Sequence, residues 1–173
     1  ANYTYNDLLF SILRFDVNFI TERWERTERV EALARSAPGV EKVELWTLDN
    51  APIRKMGTEE SKSDFSTVIF GVPLPTELYG PQMREGRWLT PADGHVIVLN
   101  KKIAEDVGVG VGDWVTLKLG INNESDWQVV GLLFDPIIGR SASVPRDVLS
   151  RELRRVDRAN SIWIQTTDRS REG

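Results

Sequence analysis

Four short blocks between residues 86 and 131 decide the fold: Gly86-Arg87-Trp88-Leu89, Val96-Ile97-Val98-Leu99-Asn100, Val111-Gly112-Asp113-Trp114-Val115-Thr116-Leu117 and Trp127-Gln128-Val129-Val130-Gly131. The second block predicts a short buried strand, because its apolar residues follow one another without interruption. Asn100 is placed to cap a helix over Lys101 to Val107, which Gly108 ends. The last two blocks predict a hairpin over residues 113–119 and 126–134. Together they indicate a small β-rich lobe, in which barrel closure would protect the strand edges.

The residues on either side of these blocks predict an α+β unit. Alternating apolar positions indicate a strand over residues 7–20, and an apolar stripe at helical spacing indicates a helix over residues 21–36. A second strand is expected over residues 40–48, which gives a split βαβ arrangement. Near the other end we expect a helix over residues 146–156 and a strand over residues 161–166. This last strand is predicted to return to the first sheet.

A change of composition marks a boundary between two lobes. Residues 50–65 are polar and without period, so they predict a loop or hairpin tip, and residues 66–72 predict one more strand. Six prolines and glycines then fall between residues 73 and 91, which is typical of a connecting segment. We therefore assign residues 1–80 and 145–173 to an α+β lobe and residues 81–144 to an inserted β-rich, barrel-like lobe.

The bulk composition excludes several classes of protein. The chain of 173 residues carries a net charge of -4, and an acidic chain without a basic cluster is a poor binder of nucleic acid. The absence of cysteine removes disulfides and thiol chemistry. The longest apolar runs, such as Val129 to Phe134, are far shorter than the roughly 20 residues of a membrane-spanning helix. Because the chain begins at Ala1, we expect it to be a piece of a longer protein.

No catalytic or metal site is predicted. His95 is the only histidine, and nothing in the sequence supplies the partners of a triad or a zinc site. The run Gly108 to Gly112 resembles a phosphate-binding loop, but it follows a helix and opens a strand, so we interpret it as a turn that Asp113 orders. We expect neither a catalytic step nor a cofactor. A hydrolase that uses carboxylates is an alternative for which the sequence nominates no residue.

Two groups of apolar residues leave alternatives open. Leu74, Leu78, Tyr79 and Met83 lie in the proline-rich connection, where they would either contact a partner protein or fill a groove between the lobes. The chain also has six tryptophans. Core packing is their ordinary role, but exposed tryptophans would also suit a free-standing ligand- or carbohydrate-binding module.

The ordered blocks, together with Pro38-Gly39-Val40 upstream and Asn160-Ser161-Ile162-Trp163-Ile164 downstream, resemble the extracytoplasmic core domain of MacB/FtsX-type ABC transporter permeases. The resemblance covers nearly the whole chain. It implies a porter-like α+β lobe interrupted by a smaller β-rich lobe. Family members continue past the last strand with another helix and strand, so we expect part of the first lobe to be missing.

The same resemblance implies a place and a role. The domain would lie outside the cytoplasm between two transmembrane helices of a permease, which pairs with a second permease copy and a cytoplasmic ATPase. It would couple ATP-driven conformational change in the membrane to a substrate or protein partner outside the cytoplasm. Family members act on lipoproteins, peptides, antibiotics or cell-wall-related partners, and the family has no catalytic residues to transfer to this chain.

Overall fold

The computed structural model describes the backbone of residues 17–26, 40–120, 123–136, 139–153 and 158–166, and the side chains of residues 43–120, 123–136 and 139–153. Its described part contains these strands and helices: β1 (Val17–Arg26), β2 (Val40–Lys55), β3 (Phe65–Val72), β4 (Met83–Gly86), β5 (Val96–Asn100), α1 (Lys101–Val107), β6 (Trp114–Lys118), β7 (Glu124–Leu133), β8 (Ser141–Pro145), α2 (Arg146–Glu152) and β9 (Arg158–Thr166).

One sheet joins the two ends of the described chain. β9 lies between β1 and the first half of β2 and is antiparallel to both, with Val17 opposite Ile164 and Val40 opposite Thr166. We call these three paired segments the terminal sheet. The predicted return of the last strand to the first sheet is confirmed.

The second half of β2 belongs to a closed barrel. Going around it, β2 pairs with β3, β3 with β8, β8 with β5, β5 with β7, β7 with β6, and β6 with β2 again. The β3–β8 and β5–β7 pairs are parallel and the others antiparallel. Closure pairs the backbone groups that an open sheet would leave at its edges. The mixed α+β fold with a small barrel is the predicted one.

The barrel interior is filled by residues of alternating position. In β5, Ile97 and Leu99 point inward, whereas Val96 and Val98 belong to a separate cluster on the outer face. This alternation follows from the period of two in a strand. Helices α1 and α2 add Ile103 and Leu149 to the interior. Since β5 and β8 are antiparallel and each leads directly into one helix, the two helices lie at opposite ends of the barrel.

Helix α1 has the bounds and caps that the sequence predicted. The Asn100 side chain accepts a hydrogen bond from the Lys102 amide at 3.2 Å. Gly108 ends the helix with φ of 84° in the left-handed region, and its amide donates to the Ala104 carbonyl. A side-chain acceptor at the start and glycine after the end are the signals that allowed the helix to be placed.

The structure differs from three predicted boundaries. Residues 21–26 continue β1 instead of beginning a helix, and the rest of that predicted helix, residues 27–36, lies outside the described part of the chain. β2 extends through residues 50–55, so the predicted loop or hairpin tip is shorter and comprises residues 56–64. The second half of β2 and all of β3 are barrel strands, although they were assigned to the first lobe. The reason is tertiary: β6 and β8, far away in sequence, supply the partners that make these residues part of a barrel.

A second apolar cluster covers one outer face of the barrel. It combines strand residues such as Val72, Val98 and Leu133 with Leu78 and Leu89 from the connections around β4. We call residues 73–82, between β3 and β4, the strap. The strap forms no helix and no extended strand, yet the side chain of one of its residues, Leu78, is completely buried against the barrel.

Candidate functional site: the junction between sheet and barrel

Strand β2 changes partners in the middle of its length. Trp46 is opposite Ser161 of β9, and the next residue, Thr47, is opposite Gly71 of β3. One continuous strand is therefore shared by the terminal sheet and the barrel. The three residues just before the change, Glu44 to Trp46, each contact a different part of the barrel lobe, and we call them the junction.

Glu44 binds the strap with both carboxylate oxygens. Oε1 accepts a hydrogen bond from Thr76 Oγ1 at 2.6 Å and another from Trp46 Nε1 at 3.1 Å. Oε2 accepts from the backbone amides of Glu77 at 2.7 Å and Leu78 at 3.3 Å. Hydrogen bonds to an ionised acceptor are shorter and stronger than neutral ones. The carboxylate thus ties a strand of the terminal sheet to the cover of the barrel.

Trp46 carries the apolar part of the same connection. Its ring is 1% exposed and meets Phe70 of β3 edge-on at 6.2 Å and Tyr79 of the strap edge-on at 6.0 Å. Tyr79 in turn packs against Trp88 at 5.5 Å. Edge-to-face aromatic pairs of this kind add about 0.5–1.5 kcal/mol beyond the area that they bury. Trp46 therefore links β2, the barrel wall and the strap.

The backbone of Leu45 makes the third connection. Its carbonyl accepts a hydrogen bond from Arg146 Nη1 at 2.7 Å, at the start of α2. Close packing here depends on Gly71, since a Cβ at that position would lie 2.9 Å from Thr47 Cβ and 3.2 Å from Arg146 Cα. A strand, a helix start and a glycine are thereby brought together at the point where β2 enters the barrel.

The residues predicted to contact a partner pack beside the barrel. Leu78 is 0% exposed and Tyr79 is 9% exposed, so a partner would reach them only if they moved, and that contact stays a prediction. They fill the groove beside the barrel, which is the alternative that the sequence left open. Leu74 and Met83 are half-buried against the same cluster, and their contact with a partner stays a prediction. Burial, together with the charge of Asp135, raises the pKa of Tyr79 above its usual value, so its hydroxyl remains neutral.

The glycine run forms a turn, and the lone histidine pairs with a carboxylate. Asp113 Oδ2 accepts a hydrogen bond from the Gly110 amide at 2.9 Å, so Asp113 orders the turn as predicted. His95 Nε2 lies 2.6 Å from Glu152 Oε1, and its ring packs 4.7 Å from the Trp127 ring. Within the part of the chain that the structure describes, no three His, Cys, Asp or Glu side chains are close enough to hold a metal ion.

The tryptophans do not form a binding platform in the described region. Trp46 and Trp127 are buried at 1% and 0% exposure, Trp88 is half-buried, and Trp114 is 39% exposed. The side chains of Trp24 and Trp163 lie outside the described residues. Packing, the ordinary role of tryptophan, accounts for the three that are covered.

Sequence analysis did not identify Glu44, Trp46 and Arg146 as a connected group. One signal was present, because Glu44 and Trp46 are two positions apart in a strand and so lie on one face. A carboxylate between Val43 and Leu45, beside a large aromatic residue, indicates an acceptor that needs donors from elsewhere. The strap that supplies those donors has no sequence period that would have connected it to β2.

The sequence profile of the MacB-like periplasmic core domain family matches residues 7–172. The chain belongs to this family. The predicted class, a MacB-like periplasmic domain of an ABC-type transporter permease, is thereby confirmed. Among proteins of curated function, none matches the chain significantly. None of the helices in the described residues has the length and apolar character that crossing a membrane requires.

Two solved structures have the same fold. The periplasmic region of MacB from Actinobacillus actinomycetemcomitans is 16% identical, with a TM-score of 0.63 over 88% of this chain and 74% of that chain. The extracellular domain of the ABC-type transporter YknZ from Gram-positive bacteria is also 16% identical, with a TM-score of 0.64 over 92% of this chain and 85% of that chain. At these identities the likeness establishes the fold.

Proposed function

We propose that this domain couples ATP-driven conformational change in a membrane-embedded permease to a substrate or protein partner outside the cytoplasm. Its role is mechanical, and it carries no catalytic step and no cofactor of its own. The parent permease works with a cytoplasmic ABC ATPase and with a second copy of itself. The support for this proposal is family membership together with one structural observation, the continuity of β2 through two differently paired regions.

Strand β2 has the geometry of a rigid connector. Its 16 residues run without a break from the terminal sheet into the barrel. At about 3.3 Å per residue, such a strand spans on the order of 50 Å. Backbone pairing on β2 changes from β9 to β3 without a linker, so a displacement of the terminal sheet is passed to the barrel through covalent and hydrogen-bonded structure.

The topology indicates which end of the terminal sheet would receive a movement from the membrane. The beginning of β1 and the end of β9 are neighbours, with Val17 opposite Ile164, while β2 leaves the sheet in the direction of the barrel. The start of β1 and the end of β9 therefore both lie at the end of the terminal sheet that is away from the barrel. Two membrane helices attached there would move the sheet, and the barrel would report that movement at a distance from the membrane.

The first experiment places and follows the barrel in the complete permease. This domain has no cysteine, so in a permease whose other cysteines have been replaced, Ser63→Cys at the exposed turn between β2 and β3 provides a single label. In intact cells, a membrane-impermeant maleimide should modify Ser63→Cys. Ile97→Cys, whose position is 0% exposed in the barrel interior, is the matched control and should stay unmodified until the protein is denatured.

The decisive measurement uses the same cysteine as a spin label. In permease reconstituted with its ATPase, the distance between the labels of two copies should differ between the nucleotide-free and ATP-trapped states. A distance distribution that is identical in both states, while ATP is hydrolysed normally, would overturn the coupling proposal. A variant that binds ATP but cannot hydrolyse it is the control. After ATP is added, the distance between its labels should stay at the ATP-trapped value.

A further inference from the structure

The hydrogen bonds of the Glu44 carboxylate connect two regions of the fold, and we call them the Glu44 clamp. All four hydrogen bonds of the carboxylate lie at the junction, and three of them go to consecutive strap residues, Thr76 to Leu78. Glu44 itself belongs to the part of β2 that pairs with β9. The middle of the strap is thus held by a residue of the terminal sheet, whereas its end is joined to the barrel by the hydrogen bond from the Phe134 amide to the Gln82 carbonyl.

The bonds in this clamp are strong but depend sharply on distance. Two are already short, at 2.6 and 2.7 Å, and the bond from the Leu78 amide is 3.3 Å long. Hydrogen bonds weaken steeply once donor and acceptor separate beyond about 3.5 Å. A rotation of the terminal sheet that moves Glu44 by about 1 Å would therefore break the longer contact first, while the continuous backbone of β2 remains intact.

The strap covers part of the outer apolar face, and the β4–β5 loop, with Leu89, covers the rest. Leu78 packs among Val72, Val98 and Leu133, all nearly or fully buried. Elements that move in response to a signal are drawn from the less stable parts of a fold, where regular backbone pairing is sparse. The strap, which forms no helix and no extended strand, fits that description.

We propose that Glu44 is a releasable latch, through which a change in the angle between terminal sheet and barrel frees residues 76–79 of the strap. With the latch closed, the strap moves with the terminal sheet and protects the outer apolar face. With the latch open, the strap detaches locally and that face becomes accessible. This inference rests on the proposed coupling function, and it makes Glu44 a positioning residue.

Amide hydrogen exchange on the 173-residue protein tests the latch directly. In Glu44→Gln, the amides of Glu77 and Leu78 should exchange about tenfold faster than in the unsubstituted protein, because a charged double acceptor is replaced by a neutral single one. Thr76→Val removes one donor and keeps the side-chain shape, so it should accelerate the same two amides by a smaller factor. Glu59→Gln, at an exposed position in the β2–β3 turn, is the matched control and should change neither.

The complete permease separates failure of the latch from failure of the proposed function. Exchange at residues 76–79 should differ between nucleotide-free and ATP-trapped states in the unsubstituted protein and be fast in both states in Glu44→Gln. Unchanged exchange at Glu77 and Leu78 in both Glu44→Gln and Thr76→Val would refute the latch. If the Ser63→Cys labels move with nucleotide while strap exchange does not, the latch is wrong and the coupling function stands. If neither responds to nucleotide, the coupling function itself is wrong.

Discussion

The barrel has two apolar cores that differ in how they are held. The interior is enclosed by six strands, each paired on both sides, and by helices α1 and α2 at its ends. The outer face is covered by the strap and by the β4–β5 loop, residues 87–95. Each core contains leucines with no exposed surface, such as Leu99 inside and Leu78 outside. Complete burial is therefore not what distinguishes them.

The difference lies in what fixes the covering segments. Around the interior, backbone hydrogen bonds between strands hold every wall. On the outer face, backbone hydrogen bonds join the covering segments to the barrel near their ends, at Gln82, Arg87 and His95. Side chains help to fix their middle parts: the Glu44 carboxylate binds the strap, and a double hydrogen bond from Arg87 to Asp93 holds the loop together. Regular pairing resists local opening, whereas a few side-chain contacts allow one segment to open alone. The interior core is thus expected to stay closed, whereas the segments that cover the outer core can open locally.

A matched pair of leucine substitutions gives the largest expected effect. Leu99→Ala leaves a cavity inside closed walls and should lower the free energy of unfolding by about 4–5 kcal/mol, the upper end of the range for such changes. Leu78→Ala removes the same atoms beneath a segment that can settle into the space, so a loss of about 2–3 kcal/mol is expected. Urea unfolding measures both values.

The comparison fails if the two leucines prove equivalent. Equal losses, with equal acceleration of exchange throughout the barrel, would mean that the strap is as firmly built in as a strand. Ile97→Val serves as the control, because a single methyl group deleted from the interior should cost only about 0.5–1.5 kcal/mol and leave the slope of the urea transition unchanged.

Part of the interior core was predictable from sequence, and the outer core was not. The strand Val96 to Leu99, helix α1 with its caps and the β6–β7 hairpin all follow from local patterns of apolar, capping and turn residues. In the strap, Leu78 and Tyr79 are consecutive apolar residues in a segment without period, so only contacts with residues distant in sequence decide that they face inward.

The error at residues 21–26 has a related cause. Trp24 stands alone among glutamates and arginines in this segment, so neither a period of two nor a period of 3.6 is defined there. Pairing with β9, where Glu25 lies opposite Ala159, decides in favour of a strand. Local propensity is a weak guide where a distant strand supplies the hydrogen bonds.

Substitution of Gly86 tests how closely β4, which connects the strap to the β4–β5 loop, must approach β7 of the barrel. Its φ is 69°, and a Cβ there would lie 2.2 Å from the Val130 carbonyl oxygen of β7. Gly86→Ala should therefore push β4 away from β7 and cost about 1–3 kcal/mol or more, measured by urea unfolding. Gly94→Ala, in the β4–β5 loop and with nothing within 4 Å of the added methyl group, should be close to neutral.

For the Gly86→Ala and Gly94→Ala pair, a second measurement is which amides exchange their hydrogens faster. Gly86→Ala should speed exchange in β4 and in the β4–β5 loop and leave α1 unchanged. Equal stability of the two alanine variants would contradict the close approach of β4 and β7.

Because of Asp93, the contribution of the β4–β5 loop to stability is expected to fall at acidic pH. Hydrogen bonds from Arg87, and in addition from the Thr90 amide, lower the pKa of Asp93 below its usual value. A folded-state pKa below the unfolded one contributes stability that is present above the unfolded pKa of about 3.9 and is lost as pH falls through the folded value. Asp93→Asn should cost about 1 kcal/mol at pH 7, since Arg87 is half exposed, and the cost should shrink below about pH 4.

The acid dependence separates the charge of Asp93 from its shape. Arg87→Gln removes the main cause of the lowered pKa, so its difference from the unsubstituted protein should disappear over the same pH range. A loss of stability in Asp93→Asn that stays constant from pH 7 to pH 2 would show that the amide fails for reasons of packing, and the carboxylate charge would then have no part in holding the loop.

The smallest effect is expected for an ion pair on the barrel itself. Arg54 of β2 and Glu124 of β7 lie 2.7 Å apart at the surface, with the Glu124 side chain 40% exposed. Exposed pairs of this kind contribute little, because solvent screens the charges and both side chains lose freedom. Glu124→Gln should therefore give the same urea midpoint as the unsubstituted protein at pH 7, although the Arg54–Glu124 hydrogen bond, at 2.7 Å, is shorter than the two 3.0 Å bonds between Arg87 and Asp93. The barrel does not need the pair, because backbone pairing already joins β6 to both β2 and β7 there. A clear loss of stability in Glu124→Gln would mean that side-chain contacts hold the inner and outer cores alike, and the distinction between a permanent and a releasable core would no longer stand.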